Sequence, residues 1–202
     1  FLITDNNFEA GLSASLKRTK DIFVTGCTVG LRVHDLMQLN KKNIIYTPSG
    51  AYLKTNTHKT NTETSIPLPD YVLDIIKRNK RITGKYLLPR LAVSNLNIAV
   101  KKLAEKAGWT FFLPKRRSID GRLKELKKEG GRCWRFYEHI TAHTMRRTAI
   151  TTLLIMGVPE LVVRKISGHA PNSKEFYRYV SIAQDYLDTS VKKAYEKLLN
   201  ES

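Results

Sequence analysis

The chain has 202 residues, 42% of them hydrophobic and 26% charged, which is ample apolar material for a buried core and excludes global disorder. Lys and Arg number 35 against 18 Asp and Glu, a formal charge of +17 at pH 7. An excess of that size repels itself as the chain compacts, so the partner it suits is a polyanion, nucleic acid ahead of an anionic membrane surface.

In chain order, Phe8, Leu12 and Leu16 recur every four residues behind the capping candidates Asp5 and Asn6, which predicts a first helix. A second helix is expected over residues 20–27 and a short one over 33–39. Ile44-Ile45-Tyr46 and Ala51-Tyr52-Leu53 flank the turn signal Pro48-Ser49-Gly50, and Thr64-Ser65-Ile66 follows a polar loop. That pattern predicts a three-stranded antiparallel sheet of short strands. Helical spacing returns at Tyr71, Val72, Ile75 and Ile76, and again at Leu96, Val100, Leu103 and Ala107 before Gly108. Residues 109–134 are irregular, basic and aromatic, suiting a hairpin or a long loop. A helix is expected from Thr141 to about Met156, stopped by Gly157 and Pro159, and another over 160–167. The last, Ser190 to Leu199, carries Val191, Ala194, Tyr195 and Leu198 on one face. The expected fold class is α+β, mainly α-helical, as one domain over residues 1–202 with a tail helix inside 181–202.

No apolar run approaches the roughly 18 residues of a membrane-spanning helix. Cys27 and Cys133 are too few for a disulfide framework, and neither has a second Cys or a His at metal-ligand spacing. A reduced intracellular compartment without a zinc site is expected. The first residue is Phe1 rather than Met, so the chain reads as a piece of a longer one. Between Lys101 and Arg147 stand 14 Lys and Arg against 5 Asp and Glu, about half of the whole excess. Charge runs are ordinarily solvated faces. Here Trp109, Phe111, Phe112, Trp134, Phe136 and Tyr137 are interleaved with the cations, a composition that suits gripping a phosphate backbone.

His143-Thr144-Met145-Arg146-Arg147 is the sharpest local feature. Residues three apart share a helix face, so His143 and Arg146 project together. A guanidinium fork neutralises two phosphate oxygens, and an imidazole beside it handles a proton. Other residues stand in a telling order: Gly30-Leu31-Arg32 with Asp35, Lys59-Thr60 before Ser65, Ser167-Gly168-His169, and Tyr179 ten residues later. Singly each has a structural explanation. Arg32 could pair with Asp35, His143 could open a helix, and Tyr179 could be core.

Together the set resembles the catalytic domain of the tyrosine recombinases, the phage-type integrase family, over about Asp5 to Leu199, and the basic segment is similar to that of conjugative-transposon integrases. The resemblance implies a DNA breaking-and-rejoining fold and the catalytic set Arg32, Lys59, His143, Arg146, His169 and Tyr179, with no cofactor and no metal. Tyr179 would be the nucleophile forming a 3′-phosphotyrosine. Arg32 and Arg146 would hold the phosphate oxygens, and Lys59 would protonate the leaving 5′-oxygen. His143 would exchange protons with the tyrosine, and His169 would donate to the phosphate. Tyr177 and Tyr186 remain alternatives to Tyr179, and Lys54 to Lys59. Asp35 either orients Arg32 or caps its helix, and Arg147 is a backbone-phosphate contact or an ion-pair partner.

The family's N-terminal DNA-clamping domain would be missing here, since the first arginine is already at position 32. The partners implied are double-stranded DNA, other copies of the chain in a tetramer on DNA (a monomer without it), and accessory DNA-bending proteins; no membrane is implied. The implied location is the nucleoid in a bacterial cytoplasm. Competing functions are a type IB topoisomerase, a DNA-binding module without catalysis, and an RNA-binding basic domain.

Overall fold

The computed structural model describes residues 2–56 and 63–200, with side chains to 198. Helix α1 (Asn6–Ala10) opens where the Asp5 carboxylate accepts from the Phe8 N–H at 2.8 Å. It does not run on to Leu16 as the four-residue spacing predicts. Gly11 closes it, and Ser13 starts α2 (Ala14–Val29) by accepting from the Leu16 N–H at 3.3 Å. Leu16 therefore belongs to the same helix as residues 20–27. A serine able to cap outweighs apolar periodicity across a short break.

Helix α1 is tied down by charge. Lys20, buried in α2, meets Glu9 at 2.9 Å, and Arg78 bridges Glu9 and Asp21. Arg78 belongs to α4 (Asp70–Thr83), which follows α3 (Val33–Gln38) and the sheet. Strands β1 (Ile44–Thr47), β2 (Gly50–Asn56) and β3 (Glu63–Pro67) lie in the order β1-β2-β3, all antiparallel, with Leu53 opposite both Ile44 and Ile66. Alternation puts Ala51 and Leu53 of β2, and Thr64 and Ile66 of β3, on the covered face.

Helix α5 (Val93–Lys106) leads into the basic aromatic segment, which contains a hairpin, β4 (Lys115–Ile119) and β5 (Arg122–Leu126). Phe111 stacks on Phe136, with ring centres 4.7 Å apart, at the base of this segment. The short α6 (Phe136–His139) precedes α7 (Ala142–Ile155) and α8 (Glu160–Ser167), both within a residue of their expected bounds. The last helix differs. Rather than an isolated Ser190–Leu199 segment, α9 runs unbroken over Lys174–Asn200, because no Gly or Pro follows Pro171 to interrupt it.

Two apolar clusters organise the molecule. The larger joins α2, α3, the three-stranded sheet, α4, α5 and the start of α7. The smaller, of Ile150, Leu154, Val163, Phe176, Tyr179 and Ala183, clamps α8 and α9 onto the second half of α7. Helix α7 crosses both clusters, and α8 lies against β3. No described helix is long and apolar enough to cross a membrane.

Candidate active site

Helix α2 ends at Gly30, whose φ of 67° turns the chain before Arg32 caps α3. Glycine adopts that left-handed backbone without the clash a Cβ brings. Arg32 then reaches a cleft of about 520 Å³ that it shares with Asn97, Thr141, His143, Arg146 and Glu175. Its Nη1 is buried without a hydrogen-bond partner. An unsatisfied buried donor is costly, and an anion entering the cleft would relieve it.

Helix α7 supplies the next two side chains. Its N-terminus is held by Asn97 of α5, whose Oδ1 accepts from the Ala142 N–H at 2.8 Å. Arg146, 3% exposed, donates from Nη1 to the Gly30 carbonyl at 3.0 Å and from Nη2 to His169 Nε2 at 2.9 Å. Burial and the adjacent Arg32 charge pull its pKa down to about 10, so it remains a cation at neutral pH. His143, three residues earlier on the same face, keeps its ring largely exposed. Burial and the charges of Arg146, Arg147 and Arg32 hold its pKa below the usual histidine value, against an opposing pull from Glu175.

His169 follows Gly168, which closes α8 with a φ of 62°. The Ser167 hydroxyl donates to the Val163 carbonyl at 2.7 Å and lies 2.8 Å from His169 Nδ1. With its proton committed to that carbonyl, Ser167 accepts from Nδ1–H, which leaves the Nε2 lone pair to accept from Arg146. Burial and Arg146 push His169 down to about 4, in keeping with this neutral form.

Tyr179 comes from α9, 4% exposed, its ring centre 5.9 Å from that of His169. Its hydroxyl stands 3.4 Å from His143 Nε2 and donates to Glu175 Oε1 at 3.3 Å. Burial and the Glu175 carboxylate raise its pKa. Tyr177 is half exposed, beside Phe176 and Arg164, and Tyr186 lies exposed further along α9. Tyr179 is thus the tyrosine of the three that reaches His143.

Five of the six expected site residues, Arg32, His143, Arg146, His169 and Tyr179, converge here. Lys59 lies outside the described residues, and the alternative Lys54 sits within β2 opposite Ser65. Asp35 is buried in α3, and Arg147 is exposed next to Arg146. Sequence reasoning missed Glu175, whose only signal is its spacing of four residues before Tyr179, on a helix the sequence did not reveal there. It also missed the Ser167 hydroxyl, which acts within its own turn, and Asn97, whose contact spans separate elements. Two guanidinium groups, two imidazoles and a phenol around one cleft can hold an anion and exchange a proton with the phenol. Among the described residues, no group of His, Cys, Asp and Glu is placed to hold a metal ion.

The model of the phage integrase family matches residues 6–185. The chain belongs to that family.

Solved structures agree on the fold of this integrase-family chain. It is similar to XerH site-specific recombinase bound to difH substrate, at 15% identity and a TM-score of 0.57, over 84% of this chain and 44% of that one. It is similar to a lambda integrase dimer bound to a COC′ core site, at 15% identity and 0.55, over 86% and 44%. It is also similar to the Tn1549 transposon integrase in complex with a circular intermediate DNA, at 18% identity and 0.54, over 86% and 58%. The chain therefore spans about half the length of these structures. No curated protein matches it by sequence.

Proposed function

We propose that this integrase-family chain is the catalytic part of a site-specific DNA recombinase, a strand transferase that integrates or recombines a mobile element. The observation that carries the reading is the Tyr179 hydroxyl 3.4 Å from His143 Nε2, beside a cleft lined by Arg32 and Arg146. Tyr179 attacks the scissile phosphorus and its proton passes to His143, a form of general-base help typically worth about 10²–10⁴-fold. Arg32 and Arg146 hold the non-bridging oxygens as charge builds, at ~2.7–4 kcal/mol per donor. Lys59 protonates the departing 5′-oxygen. The product is a 3′-phosphotyrosine and a free 5′-hydroxyl, and reversal by another 5′-hydroxyl rejoins the strand without ATP. The cations are side chains, so the chemistry needs no metal.

His169 adds a condition. Its Nε2 accepts from Arg146. Donating to a phosphate requires the proton on Nε2, so DNA entry must redirect the Arg146 donor and switch the tautomer.

The substrate is double-stranded DNA, held by the basic segment over residues 101–147. The functional unit is a tetramer on DNA and a monomer without it, acting with accessory DNA-bending proteins at the bacterial nucleoid. The exposed Tyr186, Val191, Tyr195 and Leu198 of α9 support a contact in trans between protomers.

A suicide duplex nicked beside the cleavage site tests the reading, with the intact protein on its cognate site. The wild type is expected to trap a covalent adduct that Tyr179→Phe cannot make and Tyr177→Phe still makes. An adduct that persists in Tyr179→Phe and vanishes in Tyr177→Phe reassigns the nucleophile. No adduct from the wild type overturns the enzyme.

A further inference from the structure

We propose that Glu175 is a positioning residue whose carboxylate lines the anion seat of the cleft and parks the Tyr179 hydroxyl until a DNA phosphate displaces that carboxylate. The inference rests on the strand-transfer reading of Tyr179. Glu175 is the one acidic side chain among the described residues lining the cleft, where Arg32, His143 and Arg146 supply the positive charge. Its Oε1 accepts from the Tyr179 hydroxyl at 3.3 Å and stands 3.7 Å from His143 Nε2.

An acid in the first turn of a helix has an ordinary explanation, since the carboxylate complements the positive end of the helix dipole. Glu175 does lie in the first turn of α9. The dipole does not account for the tyrosine hydroxyl on Oε1, nor for the carboxylate's place on a cleft that Arg32 and Arg146 also line. Half of the Glu175 side chain is exposed, so a rotamer change carries it into solvent without disturbing the core.

The groups around this carboxylate come from several elements. His143 and Arg146 of α7, His169 of the turn after α8 and Tyr179 of α9 act on it directly, and Arg32, Asp35, Arg147 and Arg164 act in turn on those groups. Within that field Glu175 has two effects: it adds to burial in raising the Tyr179 pKa, and it opposes the arginines at His143. A phosphodiester entering the seat carries the same charge and repels the carboxylate at close range. Once the carboxylate swings out, the phenol loses its acceptor and its proton faces His143 alone. The tyrosine is released by the substrate's own charge.

Inorganic phosphate is the probe, its binding to the full chain followed through the NMR resonances of the His143 ring. Glu175→Gln is expected to bind phosphate about tenfold more tightly than wild type, the scale of one like-charge interaction at partial exposure. Glu175→Asp, which keeps the charge, should stay near wild type. At sub-saturating suicide duplex, where the rate reports the free protein, the acid limb of adduct formation should move to lower pH in Glu175→Gln, because the group that raises the His143 pKa is gone. Equal phosphate affinity in wild type and Glu175→Gln overturns the inference, as does a slower Glu175→Gln whose acid limb has not moved. If no variant forms an adduct while Glu175→Gln still binds phosphate more tightly, the strand-transfer reading fails and the anion seat stands. If wild type forms the adduct and phosphate affinity is unchanged, the strand-transfer reading stands and the anion seat fails.

Discussion

Arg146 and His169 lie 23 residues apart in sequence, yet the guanidinium meets the imidazole at 2.9 Å. Helix α7 carries one, and the turn after α8 carries the other. The same guanidinium reaches the Gly30 carbonyl at the end of α2, so one side chain ties together the three junctions that build the cleft.

This pairing predicts a pH dependence of stability. The His169 pKa is depressed to about 4 when folded, while an unfolded histidine titrates near ~6.5. Between those values the unfolded chain binds the extra proton, so stability falls as pH drops through the window and levels off below it. Urea unfolding at several pH values should show this slope, and His169→Gln should lose its share. An identical slope in His169→Gln removes His169 from the account.

Arg146→Lys keeps the charge and loses the fork. A lysine cannot bond the Gly30 carbonyl, His169 and a phosphate with fixed geometry. Strand cleavage is expected to drop by about 10²–10³, the usual cost of one missing transition-state donor. The melt should also fall, since the Gly30 carbonyl and His169 lose a buried donor, so the rate is read well below the transition, where an unchanged rate would show that charge alone suffices.

Helices α2 and α7 approach closely at Gly26. A Cβ there would stand 2.5 Å from Met145 Sδ, 3.0 Å from Met145 Cβ and 3.2 Å from Leu36 Cδ2. Gly26→Ala gains roughly 0.8–1 kcal/mol of helix propensity. Overpacking of this kind costs about 1–3 kcal/mol, so a net destabilisation of ~1 kcal/mol is expected in denaturant titrations. A more stable Gly26→Ala would mean that Met145 repacks freely.

The β4–β5 hairpin sets Arg117 directly opposite Lys124, a like-charged cross-strand pair. Such pairs destabilise an isolated hairpin and are relieved by a polyanion. Replacing both with Gln should weaken binding to unrelated duplexes uniformly. The slope of log affinity against log salt should fall by about 0.9 for each phosphate that the variant no longer neutralises. An unchanged slope places the hairpin off the DNA.

The bounds of α7 and α8 were legible because each carries its own stop, Gly157 and Pro159 for one and Gly168 for the other. The break between α1 and α2 and the unbroken length of α9 were not. A capping serine competed with apolar spacing in the first case, and polar residues with helix propensity hid the continuity in the second. Arg32, His143, Arg146, His169 and Tyr179 could be singled out by type and order. Glu175 could not be separated from any other helix-terminal acid, because its meaning lies in what faces it.

By itself the sequence determined the charge that calls for a polyanion, the alternation of helices around a small sheet, and the residue types able to handle a phosphate. These follow from local spacing and composition, which act within a few residues. The tertiary structure alone decided that Tyr179 rather than Tyr177 meets His143, that His169 is a neutral acceptor, and that a carboxylate lines the cleft. Two tyrosines two positions apart on a helix point about 200° apart. Which of them is buried depends on how Phe176, Tyr179 and Ala183 seat α9 on α7 and α8, an arrangement that no stretch of the chain specifies on its own.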